Sequence, residues 1–448
     1  MYTVYFFLRS LPFRISGAME FLLNSRLGNL RFLLSLVRFL RLKRARFLSL
    51  LNRFLLLKNS QTFIYEEFES YATSRNLDSL RISQSLDIAL SAPRFLFTEE
   101  QTFVDSEFEF VLREVDYRVL RNVEVFGRSE ILCIENRIVL PLGYSPTKDV
   151  LPIELDGEID FNLVKKTARV MNRKITQSLE EAVHLLGSLT GNYAHWILEF
   201  LPKFIALSSL EIPSRIPILI DDWLHPRFIE SIEYFVKGER NLVKVGKYNR
   251  VLVEKLHFID NFSYVPPMDR NFMLNGNPPP PDASRYQFSS FGIELLQFTD
   301  QNSEDREGYE SHQKLFLIRT EKTSGNKRQI ANMLEIAELA RLYGYFVVDP
   351  AELSFREQKA LFREARVVIS PLGAAMVNLV FAPKGCKVIA LSPRFENGDY
   401  YYFSILNSLL GHELNYLLGN PIAKDRNNHN SNFKIDIGEF KVALDLFR

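Results

Sequence analysis

The fourteen residues from Ser370 to Pro383, Ser-Pro-Leu-Gly-Ala-Ala-Met-Val-Asn-Leu-Val-Phe-Ala-Pro, constrain the fold more than any other stretch. They are preceded by Ala365-Arg366-Val367-Val368-Ile369 and followed by Lys387-Val388-Ile389-Ala390-Leu391, two apolar, β-branched runs of the length of a buried strand. Strand, tight turn, short helix and strand make a βαβ unit. Gly373 allows a close backbone turn, and the first N–H groups of the helix, at Ala374 and beyond, can face a phosphate or another anion. A Gly-Ala-Ala helix start is equally how a helix packs tightly on a sheet, so both readings stand at this point.

The segment before this unit extends the pattern. Lys314 to Arg319 reads as a strand ending in an arginine, followed by a polar loop to Arg328. Gln329 to Tyr343 then reads as a helix with Ile330, Leu334, Ala337 and Leu342 inward and Gly344 as its stop. Tyr345 to Val348 is the next strand and Phe355 to Glu364 the next helix. A parallel α/β domain built this way presents Arg319 and Ser370 to Gly373 along one edge, where doubly wound sheets bind ligands. Arginine forks at a helix start suit a diphosphate, while a solvated or salt-bridged arginine is the plainer alternative.

Further upstream, short strands are expected between Phe95 and Leu142, and Glu180 to Leu189 reads as a helix or a buried apolar segment. Gly191-Asn192 opens a helix in which His195 and Glu199, four apart, share a face, while Trp196, Phe200 and Phe204 form an apolar stripe. A histidine beside a carboxylate can act as a base or donate to a substrate; it can also brace a domain interface. Asp221-Asp222, after the strand Ile216 to Ile220, suits either a nucleotide-associated Mg²⁺ or a helix N-cap with a first-turn acid. None of the alternating strands and helices from Ile216 to Ile259 carries a Gly-x-Gly-x-x-Gly, which argues against a dinucleotide-dependent oxidoreductase.

Length and charge divide the chain. Its 448 residues, 46% hydrophobic, allow two or three domains. Residues 1–60 carry eleven Lys or Arg against the single acid Glu20, whereas the remainder holds 44 basic and 53 acidic residues. That basic, Leu/Phe-rich helical arm can lie on an anionic membrane, cover the protein's own apolar surface, or contact nucleic acid; the slightly acidic body offers no matching groove for the last. Neither a transmembrane helix nor a signal peptide is expected. Cys133 and Cys386, each in an apolar run, read as core residues in a reducing compartment. The boundaries are the arm at 1–60, an α/β domain at 95–275, an interdomain region at 276–313 containing a helix near Phe288 to Phe298, and a second α/β domain at 314–448.

Three blocks resemble glycosyltransferase family 61, the group of capsular polysaccharide synthesis enzymes that also contains plant xylan-decorating and eukaryotic O-linked N-acetylglucosaminyltransferases. Asn192-Tyr193-Ala194-His195-Trp196, with Glu199 and Leu201-Pro202, is similar to the family's Asn-Tyr-x-His-Trp segment. Ile318-Arg319 with Arg328 to Asn332 is similar to its paired-arginine block, and Leu353 to Gln358, Ala365, Gly373-Ala374, Asn378 and Phe381-Ala382-Pro383 resemble its C-terminal signature. The resemblance implies a GT-B-like α/β fold of two Rossmann-like domains facing across a cleft. It further implies an inverting, metal-independent transfer from a nucleotide sugar, such as a UDP-sugar, to a surface glycan at the inner membrane face, without another cofactor. On that reading Arg319, Arg328, Gly373, Ala374 and Asn378 bind the donor, and His195, oriented by Glu199, is the base. Three positions depart from the family: Leu372 stands where a histidine is usual, and Met333 and Ala390 replace acids. Leucine cannot donate to a phosphate or ribose, so the sequence also accommodates a non-catalytic, glycan- or nucleotide-binding scaffold.

Overall fold

Parallel strands buried on both faces read as continuous apolar runs, and the strands flanking Gly373 follow that rule. A computed structural model of the protein describes residues 60–97, 107–141, 159–236, 240–247, 249–265, 281–298, 312–319, 328–395, 398–422 and 431–447. The basic arm up to residue 59, the segment 320–327 and, within the 276–313 region, residues 276–280 and 299–311 lie outside the described residues. Gln61 to Arg448 form one compact unit containing two large sheets.

The C-terminal sheet has the order Phe346–Val348, Lys314–Leu317, Val367–Pro371, Lys387–Pro393, Glu413–Pro421, all parallel. Numbered along the chain, these five strands lie in the order 2-1-3-4-5, a doubly wound arrangement whose topological switch falls between Lys314–Leu317 and Val367–Pro371. Phe433–Lys434 adds an antiparallel strand, and Arg94–Leu96 pairs in parallel with Glu413–Pro421. Helices cover both faces: Met333–Leu342 and Ile437–Leu446 on one, Phe355–Arg363, Ala374–Phe381 and Tyr401–Leu409 on the other. Phe355–Arg363 begins with a capping box between Ser354 and Glu357.

The helix expected from Gln329 starts instead at Met333, and its apolar phase differs. Ile330 forms a β-bridge to Phe433, so the helical period starts only at Met333. Ile336, Ala337 and Ala340 are therefore the inward residues, while Leu334 and Leu342 are more than 80% exposed.

In the larger sheet, four parallel strands run in the order Leu242–Val245, Ile218–Asp221, Ile175–Leu185, Arg250–Ile259. The segment left open at Glu180 to Leu189 is thus largely strand, its last four strand residues Ala182 to Leu185 fully buried. An antiparallel set, Val115–Phe126, Leu132–Ile134 and Arg137–Leu140, continues the sheet. After Ile175–Leu185 the chain winds through the helical run Tyr193–Ser209 and the helix Pro226–Phe235 in one direction, then returns with Arg250–Ile259 on the opposite side of the first strand. That reversal is a second switch point.

One continuous apolar core joins the two sheets. It contains Trp196, Phe200, Phe204 and Phe228 from the first half and Phe355, Phe362, Met376 and Leu379 from the second. Polar contacts reinforce it: Glu230 accepts from the backbone N–H groups of Phe355 and Arg356, capping that helix from across the core, and Lys359 donates to Tyr234. Cys133 and Cys386 are both buried and free. No helix among the described residues is long and apolar enough to cross a membrane.

Candidate active site

At the C-terminal switch point the strand Lys314–Leu317 delivers Arg319 against the turn that ends Val367–Pro371. A Cβ at Gly373 would lie 2.0 Å from Arg319 Nη2 and 3.2 Å from its Cζ, so glycine is what admits the guanidinium. The backbone of Gly373 is extended, with φ 164°; close approach, and not a left-handed turn, requires the missing side chain. Arg328 reaches the same turn, its Nη1 3.5 Å from the Leu372 carbonyl, and its buried Nε has no hydrogen-bond partner among the described residues. Arg328 is also held at φ +56°, a conformation that costs a non-glycine residue of order 1–3 kcal/mol.

The two guanidiniums feel each other. Burial first, and then the charge of Arg319, lower Arg328 to about 10. Burial lowers Arg319 as well, with Asp349 opposing the shift. Neither arginine forms an ion pair among the described residues. Two half-buried like charges beside a helix start are electrostatically costly alone and suited to a polyanion.

Ala374 opens the short helix Ala374–Phe381, and Asn378 lies within it, fully buried. The Asn378 amide is used structurally: its Oδ1 accepts from the Tyr193 hydroxyl at 2.5 Å, and its Nδ2 donates to Gln358 at 2.8 Å. The expected donor-binding residue thus joins the two halves of the molecule, close to the His195 helix.

The second switch point carries the acid–base groups. Asn192 caps the helix start through Ala194 N, and His195 Nδ1 lies 2.9 Å from Glu199 Oε1. An ionised carboxylate only accepts, so Nδ1 carries the proton and Nε2 is left as the basic nitrogen. Burial alone would lower the imidazole, but the charge and hydrogen bond of Glu199, with Glu130 behind, outweigh it and hold His195 above its ordinary value. Glu199 Oε1 also accepts from Val265 N at 3.0 Å.

A π-turn, Trp196–Phe200, sets this geometry. Pro202 has no N–H to give the carbonyl of Leu198, and its ring crowds that carbonyl. Leu201 N bonds back to Trp196 O, while the Leu198 carbonyl accepts from Ser263 Oγ at 3.0 Å. Such turns recur at functional sites.

Residues without a role in the sequence reading complete the surroundings. Glu130 accepts from Asn261 Nδ2 at 2.8 Å and lies 3.8 Å from Lys203 Nζ. Asp221 does not cap the following helix: it accepts from Gly187 N at 2.9 Å, Thr190 Oγ1 at 2.6 Å and Arg128 N at 2.5 Å, bracing the loop that leads to His195. Burial pushes its carboxyl up to about 7. His225 caps the following helix instead, and Asp222 pairs with Arg128. No group of three His, Cys, Asp or Glu able to hold a metal occurs among the described residues. A surface groove of about 820 Å³ lined by Tyr71, Arg75, Tyr117 and Arg121 contains none of the site residues.

Residues 193–389 match the family model described as Glycosyltransferase 61. That span holds His195, Glu199, both arginines, the Gly373 turn and Asn378. No curated protein matches the chain.

Proposed function

From membership of glycosyltransferase family 61, which the match over residues 193–389 supports, we propose that this protein transfers a sugar from a nucleoside diphosphate sugar to a glycan hydroxyl with inversion. The observation that carries the reading is the pairing of Arg319 and Arg328 at the Gly373 turn, in a fold where the His195 helix packs on the helix that follows that turn. The acceptor oxygen attacks the anomeric carbon as the bond to the β-phosphate oxygen breaks. The hydroxyl proton passes to His195 Nε2, and the negative charge growing on the diphosphate falls to the two guanidiniums and the first N–H groups of Ala374–Phe381. Glu199 fixes the tautomer and stabilises the imidazolium. This assigns the charge-neutralising work to arginine, and no step calls for a metal ion.

The GT-B-like cleft, a UDP-sugar donor and a surface polysaccharide acceptor remain part of this proposal, as does docking of the basic arm on the inner membrane face. Liposome flotation of the full chain against a variant lacking residues 1–59 tests the arm. Leu372 motivates a second reading, a scaffold that binds nucleotide without turnover, because it brings an apolar side chain to the turn contacted by Arg328. Thermal unfolding with a panel of nucleoside diphosphates tests the donor site: absence of any stabilisation overturns it. Stabilisation without transfer, with transfer restored by Leu372→His, establishes the scaffold.

A further inference from the structure

Behind His195 lies a buried charge cluster that the transfer reaction alone does not account for. Lys203 is 1% exposed, Glu199 1% and Glu130 7%. The Lys203 ammonium sits 3.8 Å from Glu130 Oε2 and over the rings of Phe200 and Phe258, at 5.5 and 5.9 Å from their centroids. Burying an ammonium among apolar rings is costly unless a nearby carboxylate needs it. Asn261 holds Glu130 in place, and Val265 N holds Glu199. Three segments meet here: Glu130, the helical run Tyr193–Ser209, and the stretch from Phe258 to Val265 that ends and follows the strand Arg250–Ile259.

We propose that Lys203, held on Glu130, is a positioning residue that sets the charge felt by His195 and so its affinity for the acceptor proton. Two carboxylates and one ammonium leave the cluster with one net negative charge while the imidazole is neutral. A proton on His195 closes that balance. Without Lys203 two negative charges would face the imidazole and keep it protonated, unable to accept. Without Glu130 the balance would already be closed, and the imidazole would be a weaker base.

The other titratable groups around the cluster do not upset this count. Asp260 is taken up by Arg118 at 2.9 Å. His184, fully buried against Phe258, is held neutral, burial lowering it to about 3. Tyr402, from the helix Tyr401–Leu409, stays protonated because burial and then the charge of Glu199 raise it. Burial pushes Glu130 up and Lys203 down, and their mutual attraction, with Asp260 and Glu199 also acting on Lys203, opposes both shifts.

This inference rests on His195 being the base, but its test does not. The His195 ring is titrated by NMR in the full chain. Lys203→Met should raise its midpoint and Glu130→Gln should lower it, each by about one pH unit. Lys203→Arg should restore the original value, and the double variant Lys203→Met/Glu130→Gln, which buries no lone charge, should return close to it. Midpoints that stay put in both single variants, or move the same way, overturn the proposal. If His195→Ala transfers normally while the midpoints shift as stated, the proton acceptor is wrong and the charge cluster stands.

Discussion

The Tyr193 hydroxyl donates to Asn378 Oδ1 at 2.5 Å, joining residues 185 positions apart and tying the helical run that begins at Tyr193 to the helix that begins at Ala374. Burial drives the Tyr193 phenol well above its ordinary range, so it stays a donor throughout the working pH range. Tyr193→Phe leaves a fully buried amide oxygen short of a donor, which costs about 1–3 kcal/mol. Urea denaturation should show that loss. The double variant with Asn378→Leu should lose less than the sum of the single changes; simple additivity would mean that the contact contributes nothing.

Arg319→Ala and Arg328→Ala should each remove nucleotide-dependent stabilisation. At about 100 times the dissociation constant, a bound ligand adds about 2.7 kcal/mol to the wild-type chain, a shift readily seen by scanning fluorimetry. Retention of the full shift in both variants would falsify the diphosphate site.

Gly373→Ala should fold normally, because its extended φ suits alanine, yet push the Arg319 guanidinium out of place. Donor affinity should fall about tenfold, equivalent to roughly 1.4 kcal/mol. Isothermal titration with the donor nucleotide separates this from a folding defect, which circular dichroism would reveal.

Transfer should rise with pH through a midpoint above the ordinary histidine value of 6.5, because the base must be neutral and Glu199 holds its proton on. Glu199→Gln should move that acidic limb to lower pH while reducing the rate, and His195→Ala should abolish it. The stability consequence has the opposite sense. A raised folded-state value means the His195–Glu199 contact is fully stabilising below about pH 6.5 and fades as pH climbs through the folded value. Chemical denaturation of wild type and His195→Ala should therefore converge as the pH is raised; a gap that widens contradicts the pairing.

Much of the C-terminal sheet is legible because its information is local. The β-branched runs at Val367 and Val388 become strands, and Ser354 with Glu357 marks a helix start where the structure has one. The i, i+4 spacing of His195 and Glu199 likewise yields a direct contact. Glu130 and Asn261 escape such reading because their partners lie in distant segments and only the sheet order brings them together. Lys203 had a visible signal: one ammonium inside the apolar run Phe200-Leu201-Pro202-Lys203-Phe204, one helical turn after Glu199, is a candidate for a buried, paired lysine. The misplaced Leu334 and Leu342 have another cause, since the β-bridge of Ile330 to a strand a hundred residues away interrupts the helix period.

The core shared by the two sheets has a thermodynamic consequence. Trp196 and Phe228 from one and Phe355 and Met376 from the other lose their apolar surroundings together, so neither half has a complete interior to retain once the other opens. Their melting is coupled, and calorimetry should give one endotherm whose van't Hoff and measured enthalpies agree. A lesion beside the arginines is then felt as lower protection of amides around His195, and a ligand held by the arginines shields both halves from opening at once.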